Sequence, residues 1–73
     1  MFENKQEYYD HVADVATIDG EYVGEKQTIY RTPYERLRWG ILHKSDRFGN
    51  SVELYETLEE AIEDYIALNP LPQ

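Results

Sequence analysis

Apolar positions recur at helical spacing in the last third of the chain. Leu58, Ala61, Ile62, Tyr65 and Ile66 fall at i, i+3, i+4, i+7 and i+8, the pattern of one buried helical stripe. Thr57-Leu58-Glu59-Glu60 precedes them as a capping box, in which the Thr57 hydroxyl accepts from the Glu60 amide and the Glu60 carboxylate reaches back to the Thr57 amide. Pro70 disfavours α geometry at Asn69, so this helix is expected to end there or slightly earlier. A first helix is expected over about residues 5–16. Asn4 with Glu7 three residues later repeats the capping pattern, and Tyr8 or Tyr9, Val12 and Ala16 share a face on which Phe2 can pack back. Asp19-Gly20 then breaks the chain. The competing reading makes residues 12–18 a strand that turns through Asp19-Gly20.

Between the helices the period drops to two. Residues 21–32 read as one extended segment, rich in Tyr, Val, Thr and Ile. Over residues 36–44, Leu37, Trp39 and Ile41 alternate with Arg36, Arg38 and Gly40, as in a half-buried strand. On that reading Arg36 and Arg38 point away from the Trp39 face, with Glu53 and Tyr55 placed across from them. Thr32-Pro33-Tyr34-Glu35 also resembles a helix start, with Pro at the first helical position. A helix through Tyr34, Leu37 and Ile41 would enclose Gly40 at about 1 kcal/mol relative to Ala, so the strand is preferred. Residues 45–50 carry turn chemistry. Ser51–Tyr55 then alternates Val52 and Leu54 with Glu53 and Tyr55.

The expected architecture is α+β, in the order α-β-β-β-α, with a three-stranded antiparallel sheet packed against helices. One compact domain spans residues 1–73, and residues 69–73 form a Pro-containing tail. Three strands with one covered face are near the minimum for independent stability. Two sheet edges remain, and edges invite partners or self-pairing, including a homodimer.

Size and composition exclude several functions. A domain of 73 residues rarely draws more than roughly 3–5 kcal/mol from its core, and no second domain is expected to close a cleft over it. No apolar run approaches the roughly 18 residues of a membrane span. Residues 1–6 lack the basic and apolar regions of a signal peptide, which suits a cytoplasmic protein. With no cysteine there is no disulfide framework, no thiolate nucleophile and no zinc-thiolate site.

Other chemistry is equally sparse. The run His43-Lys44-Ser45-Asp46 has the letters of a catalytic triad, but four consecutive residues cannot fold back into one. His11 and Asp14 offer two metal ligands on one helical turn, and no third. Asp19, Glu21 and Glu25 miss the calcium-loop spacing. The four glycines form no phosphate-binding loop. The sequence therefore predicts neither an enzyme nor a metal or cofactor site.

Charge is what remains. The net charge of −8 is segregated, with five of the seven basic residues (Arg31, Arg36, Arg38, Lys44 and Arg47) in one central segment between acidic flanks. Residues 48–73 carry six acids and no cation. Glu59/Glu63 and Glu60/Asp64 are like-charge i, i+4 pairs, each costing a few tenths of a kcal/mol. The helix dipole explains acids in the first turn but leaves Glu63 and Asp64 unexplained. With about 6 Å between rungs, these acids form a ladder on the scale of successive phosphates along a strand.

Seven tyrosines add stiff contact area with a polar tip, and Tyr22, Tyr30, Tyr34 and Tyr55 are the contact candidates. Small acidic α+β proteins recur as inhibitors and adaptors, including nucleic-acid mimics carried by phages, an analogy of type alone. The sequence points to a protein-binding module that meets a basic partner through Glu56, Glu59, Glu60, Glu63, Asp64 and these tyrosines. The alternative is a nucleic-acid or polyanion binder using the five central cations, whose interleaving with aromatics suits single strands.

Overall fold

The computed structural model describes residues 2–45, 47 and 49–71. Asp46, at the end of the triad-like run, and the last two residues of the expected tail, Pro72 and Gln73, lie outside the described residues, as do Met1 and Phe48.

Both helices form where their caps place them. Asn4 accepts from the Glu7 amide at 2.8 Å and opens α1 (Lys5–Asp19). This helix continues through residues 12–18, so the strand alternative fails there, and it closes at Gly20, whose amide donates to Ala16 at 2.9 Å. Tyr8, Val12 and Ala16 form its buried face, and Phe2 stacks on Tyr8 with ring centroids 5.1 Å apart. Thr57 accepts from the Glu60 amide at 3.2 Å and opens α2 (Leu58–Leu68). The Glu60 carboxylate accepts a hydrogen bond from the Thr57 hydroxyl at 3.1 Å, a variant of the expected box. Ala61, Ile62, Tyr65 and Ile66 are buried, and the helix ends at Asn69.

The sheet has four strands, not three. β1 (Glu21–Val23), β2 (Gln27–Arg31), β3 (Trp39–His43) and β4 (Ser51–Tyr55) form an antiparallel meander, so the element order is α-β-β-β-β-α. The segment expected to be extended over residues 21–32 is instead a hairpin turned at Gly24, whose amide donates to the Gln27 carbonyl at 2.9 Å. A Cβ on Gly24 would stand 2.6 Å from that oxygen and press on the Tyr65 hydroxyl. Gly24→Ala is therefore expected to destabilise the fold by about 1–3 kcal/mol, as overpacking does. An unchanged urea midpoint would show that this close approach is unimportant.

Residues 36–38 are loop rather than strand, and no helix forms over residues 33–44. Buried Thr32 closes the loop at both levels. Its amide donates to Arg38 and its hydroxyl to Leu37, each at 2.7 Å. Leu37 sits at φ 52°, in the left-handed region, so strand alternation begins only at Trp39.

The helices cover one face of the sheet, α1 over β1 and β2, and α2 over β2, β3 and β4. Fully buried Ile29 and Ile41 meet Val12 and Ile62 at the centre. Register then decides which way β4 faces, because Ile41 pairs with Glu53 and Trp39 with Tyr55. Glu53 and Tyr55 thus share the Trp39 side, under the helices, while Arg36 and Arg38 lie in the preceding loop. Val52 and Leu54 face outward, 49% and 37% exposed.

Candidate functional site

The candidate site is the outer surface of the helical layer. Side chains four residues apart lie on the same face of a helix, one turn along, so the acids of α2 form two rows. Glu59 and Glu63 lie on the α1 side, where both their carboxylates act on Tyr9. Glu60 and Asp64 lie on the β4 side, where Asp64 reaches Tyr55. All four are exposed. Among the described residues no Lys, Arg or His forms an ion pair with any of them. Glu56, just before the helix, differs: Arg36 bonds to it at 3.4 Å, with the two side chains 84% and 60% exposed. Such an exposed pair contributes little to stability.

The acidic surface continues onto α1, which the sequence reading did not anticipate. Tyr9 is half-buried at the seam between the helices. Its phenol is held above the ordinary value first by burial, then by Glu59, Glu63 and Asp10. A stiff aromatic ring therefore lies amid carboxylates from both helices. Asp10 also accepts from Gln6 at 2.8 Å. Helical spacing places Tyr9 beside the buried stripe of Tyr8, Val12 and Ala16 but carries no signal of its contact with α2.

The four expected contact tyrosines part company. Tyr34 is 59% exposed in the loop before β3. Tyr30 lies on the uncovered sheet face, against Gly40. Tyr22 is under the helices, edge-on to both His11 (5.8 Å) and Tyr65 (5.5 Å). Tyr55 is half-buried and donates to Glu53 at 3.0 Å. Burial foremost, with Asp64 and Glu53 beside it, pushes its phenol far above the ordinary range. Beside it, a shallow notch of about 230 Å³ also contains His43, whose Nε2 is buried without a hydrogen-bond partner, 3.6 Å from Glu53.

Arg36 pairs with Glu56, Arg38 donates to the Glu35 carbonyl at 3.0 Å, and Arg31 and Lys44 are exposed at strand ends. Arg47 is exposed in the loop before β4. A second groove, of about 540 Å³, runs between Phe2 and Lys5 at the chain start and Glu63 and Leu71 at the other end. Among the described residues no cluster of three or more His, Asp or Glu is placed to hold a metal ion, and no helix is long and apolar enough to cross a membrane.

Buried tyrosines are expected to make the fold sensitive to alkali. Burial, with the Tyr8 and Tyr22 phenols nearby, raises Tyr65 well above its ordinary value of 10.0. Tyr8, which donates to the Asn69 carbonyl at 2.9 Å, is also raised, chiefly by burial. A raised folded value means that the neutral phenols' contribution is intact below about pH 10 and is lost as pH climbs through the folded values. Urea midpoints are therefore expected to fall from about pH 10 upward, and a flat profile to pH 11.5 would contradict this.

No protein-family model matches this chain, and neither does any curated protein or solved structure.

Proposed function

We propose that the chain is a non-enzymatic acidic protein-binding module, of inhibitor or adaptor type, that engages a basic surface on another protein in the place of nucleic acid. The observation that supports this reading is the acidic surface of the helical layer, whose carboxylates form no ion pair among the described residues: Glu59, Glu60, Glu63 and Asp64 on α2, continued by Asp10, with Tyr9 at the seam and Lys5 beside Glu63. Repulsion within a small domain is opposed to stability, whereas a basic groove would relieve it. Phosphate-binding grooves present Lys and Arg at spacings that a carboxylate ladder can meet. The five central cations suit a nucleic-acid ligand less well, since Arg36 and Arg38 already have intramolecular partners.

Affinity capture from the native host's lysate, at low and high salt, tests the reading. The expected catch is a basic nucleic-acid-binding protein that DNA displaces from the immobilised chain and that high salt releases. Binding of single-stranded DNA by the chain itself would move the function to Arg31, Arg36, Arg38, Lys44 and Arg47.

A further inference from the structure

The uncovered face of the sheet is a second surface, independent of the acidic helices. Strand alternation and register place Glu21, Val23, Thr28, Tyr30, Gly40, Leu42, Val52 and Leu54 on it. Glu21 is the single charged side chain of these eight and stands at the outer end of β1, although 30% of the whole chain is charged. Val23, at 62% exposed, and the outward-facing pair on β4 leave apolar side chains in water. The face is also flat at its middle. Gly40 has no side chain, and the Tyr30 ring lies where a Cβ would stand, 2.7 Å from the ring carbon Cζ.

We infer that this face packs against the same face of a second copy, forming a two-fold homodimer with the sheets back to back. Three observations select a second copy. The first is self-complementarity: a flat apolar surface whose one carboxylate, Glu21, stands at its outer end meets its own image with little charge to bury, as an isologous contact requires. The second is area. The chain is a slab with Cα extents of 33 × 31 × 18 Å. Four strands about 4.8 Å apart and three to five residues long give the face an outline of roughly 300 Å², the scale of a weak, reversible contact rather than of a standard interface of about 800 Å² a side.

The third is where the charge lies. The carboxylates of α1 and α2 are on the opposite side of the slab, so sheet-to-sheet packing holds the two acidic layers roughly 40 Å apart. That is several Debye lengths at physiological salt, where one is about 8 Å. Between copies that each carry a net charge of −8, the two acidic layers therefore repel only weakly across the contact. A basic partner, by contrast, would find only Glu21 here. Facing sheets sit about 10 Å apart, close enough for Tyr30, Leu42, Val52 and Leu54 of both copies to interdigitate.

Sedimentation equilibrium of the full chain, from about 5 to 200 µM at 0.15 M salt, tests the inference. The expected result is a reversible dimer with a micromolar dissociation constant. Val52→Lys with Leu54→Lys lowers the net negative charge, yet is expected to weaken dimerisation by roughly tenfold or more with the circular dichroism unchanged. Ile18→Lys, at an 80% exposed position on α1, is expected to leave the dimer intact. Should the double lysine variant unfold, Leu54→Thr keeps strand propensity and carries the same expected weakening. A wild-type chain that is monomeric at 200 µM overturns the inference, whether or not this face then binds another protein. A dimer that persists in the folded variants, as pairing through a sheet edge would, also overturns it.

Discussion

Ile41→Ala is expected to leave most of the chain unfolded at 25 °C. Ile41 is fully buried on β3, paired with Ile29 on one side and Glu53 on the other, and belongs to the cluster that includes Ile62 and Tyr65. Truncating such a residue costs about 2–5 kcal/mol, since both the transfer energy and the contacts around the new cavity are lost. A domain of this size has roughly 3–5 kcal/mol to lose. Ile41→Val removes one methyl group, costs about 0.5–1.5 kcal/mol and keeps the fold. Urea titration followed by Trp39 fluorescence separates these outcomes. An alanine variant with a wild-type midpoint would mean that the two-layer core does not carry the stability.

Reversing Glu59, Glu60, Glu63 and Asp64 to Lys is expected to reduce capture of a basic partner on the order of 100-fold, within the range by which charged surfaces accelerate association. The fold should survive with a loss of about 1–2 kcal/mol, because all four side chains are exposed and the Glu60 amide keeps its bond to Thr57, while the Thr57–Glu60 side-chain bond and the favourable first-turn charges are lost. Glu63→Lys alone separates the demands of stability from those of binding. It converts the Glu59/Glu63 repulsion into an attractive i, i+4 pair and should raise stability by up to about 1 kcal/mol, while lowering partner affinity. A variant that is more stable and binds as well as the wild type would show that the repulsion serves no partner.

Much of the fold was legible in the sequence because the helical signals were redundant. Thr57, Glu60 and the stripe from Leu58 to Ile66 each specify α2, and Asn4 with Glu7 specifies the start of α1. The β1–β2 turn was hidden because Gly24 is flanked by Tyr22, Val23, Thr28 and Ile29, which favour strands on both sides of it. Only the close approach of the Tyr65 hydroxyl and the Gln27 carbonyl shows why that position lacks a side chain. Alternation on β4 correctly grouped Val52 with Leu54 and Glu53 with Tyr55. It could not say which pair turns inward, because that depends on pairing with Trp39 and Ile41.

The acidic rows of α2 were legible from helical spacing alone. Their extension to Asp10 and Tyr9 was not, since it arises from the contact between helices at opposite ends of the chain. The notch that gathers His43, Glu53, Tyr55 and Asp64 was likewise hidden, because three separate elements contribute to it.

Each strand pairs with its neighbour in sequence, and none crosses over another. The sheet can therefore assemble by successive short hairpins, each closing a small loop with a small entropic penalty. Topologies dominated by such local pairings reach the native state fast. Speed limits the time for which Ile29 and Ile41, fully buried in the finished fold, are exposed on an incomplete sheet, when misassociation is most dangerous.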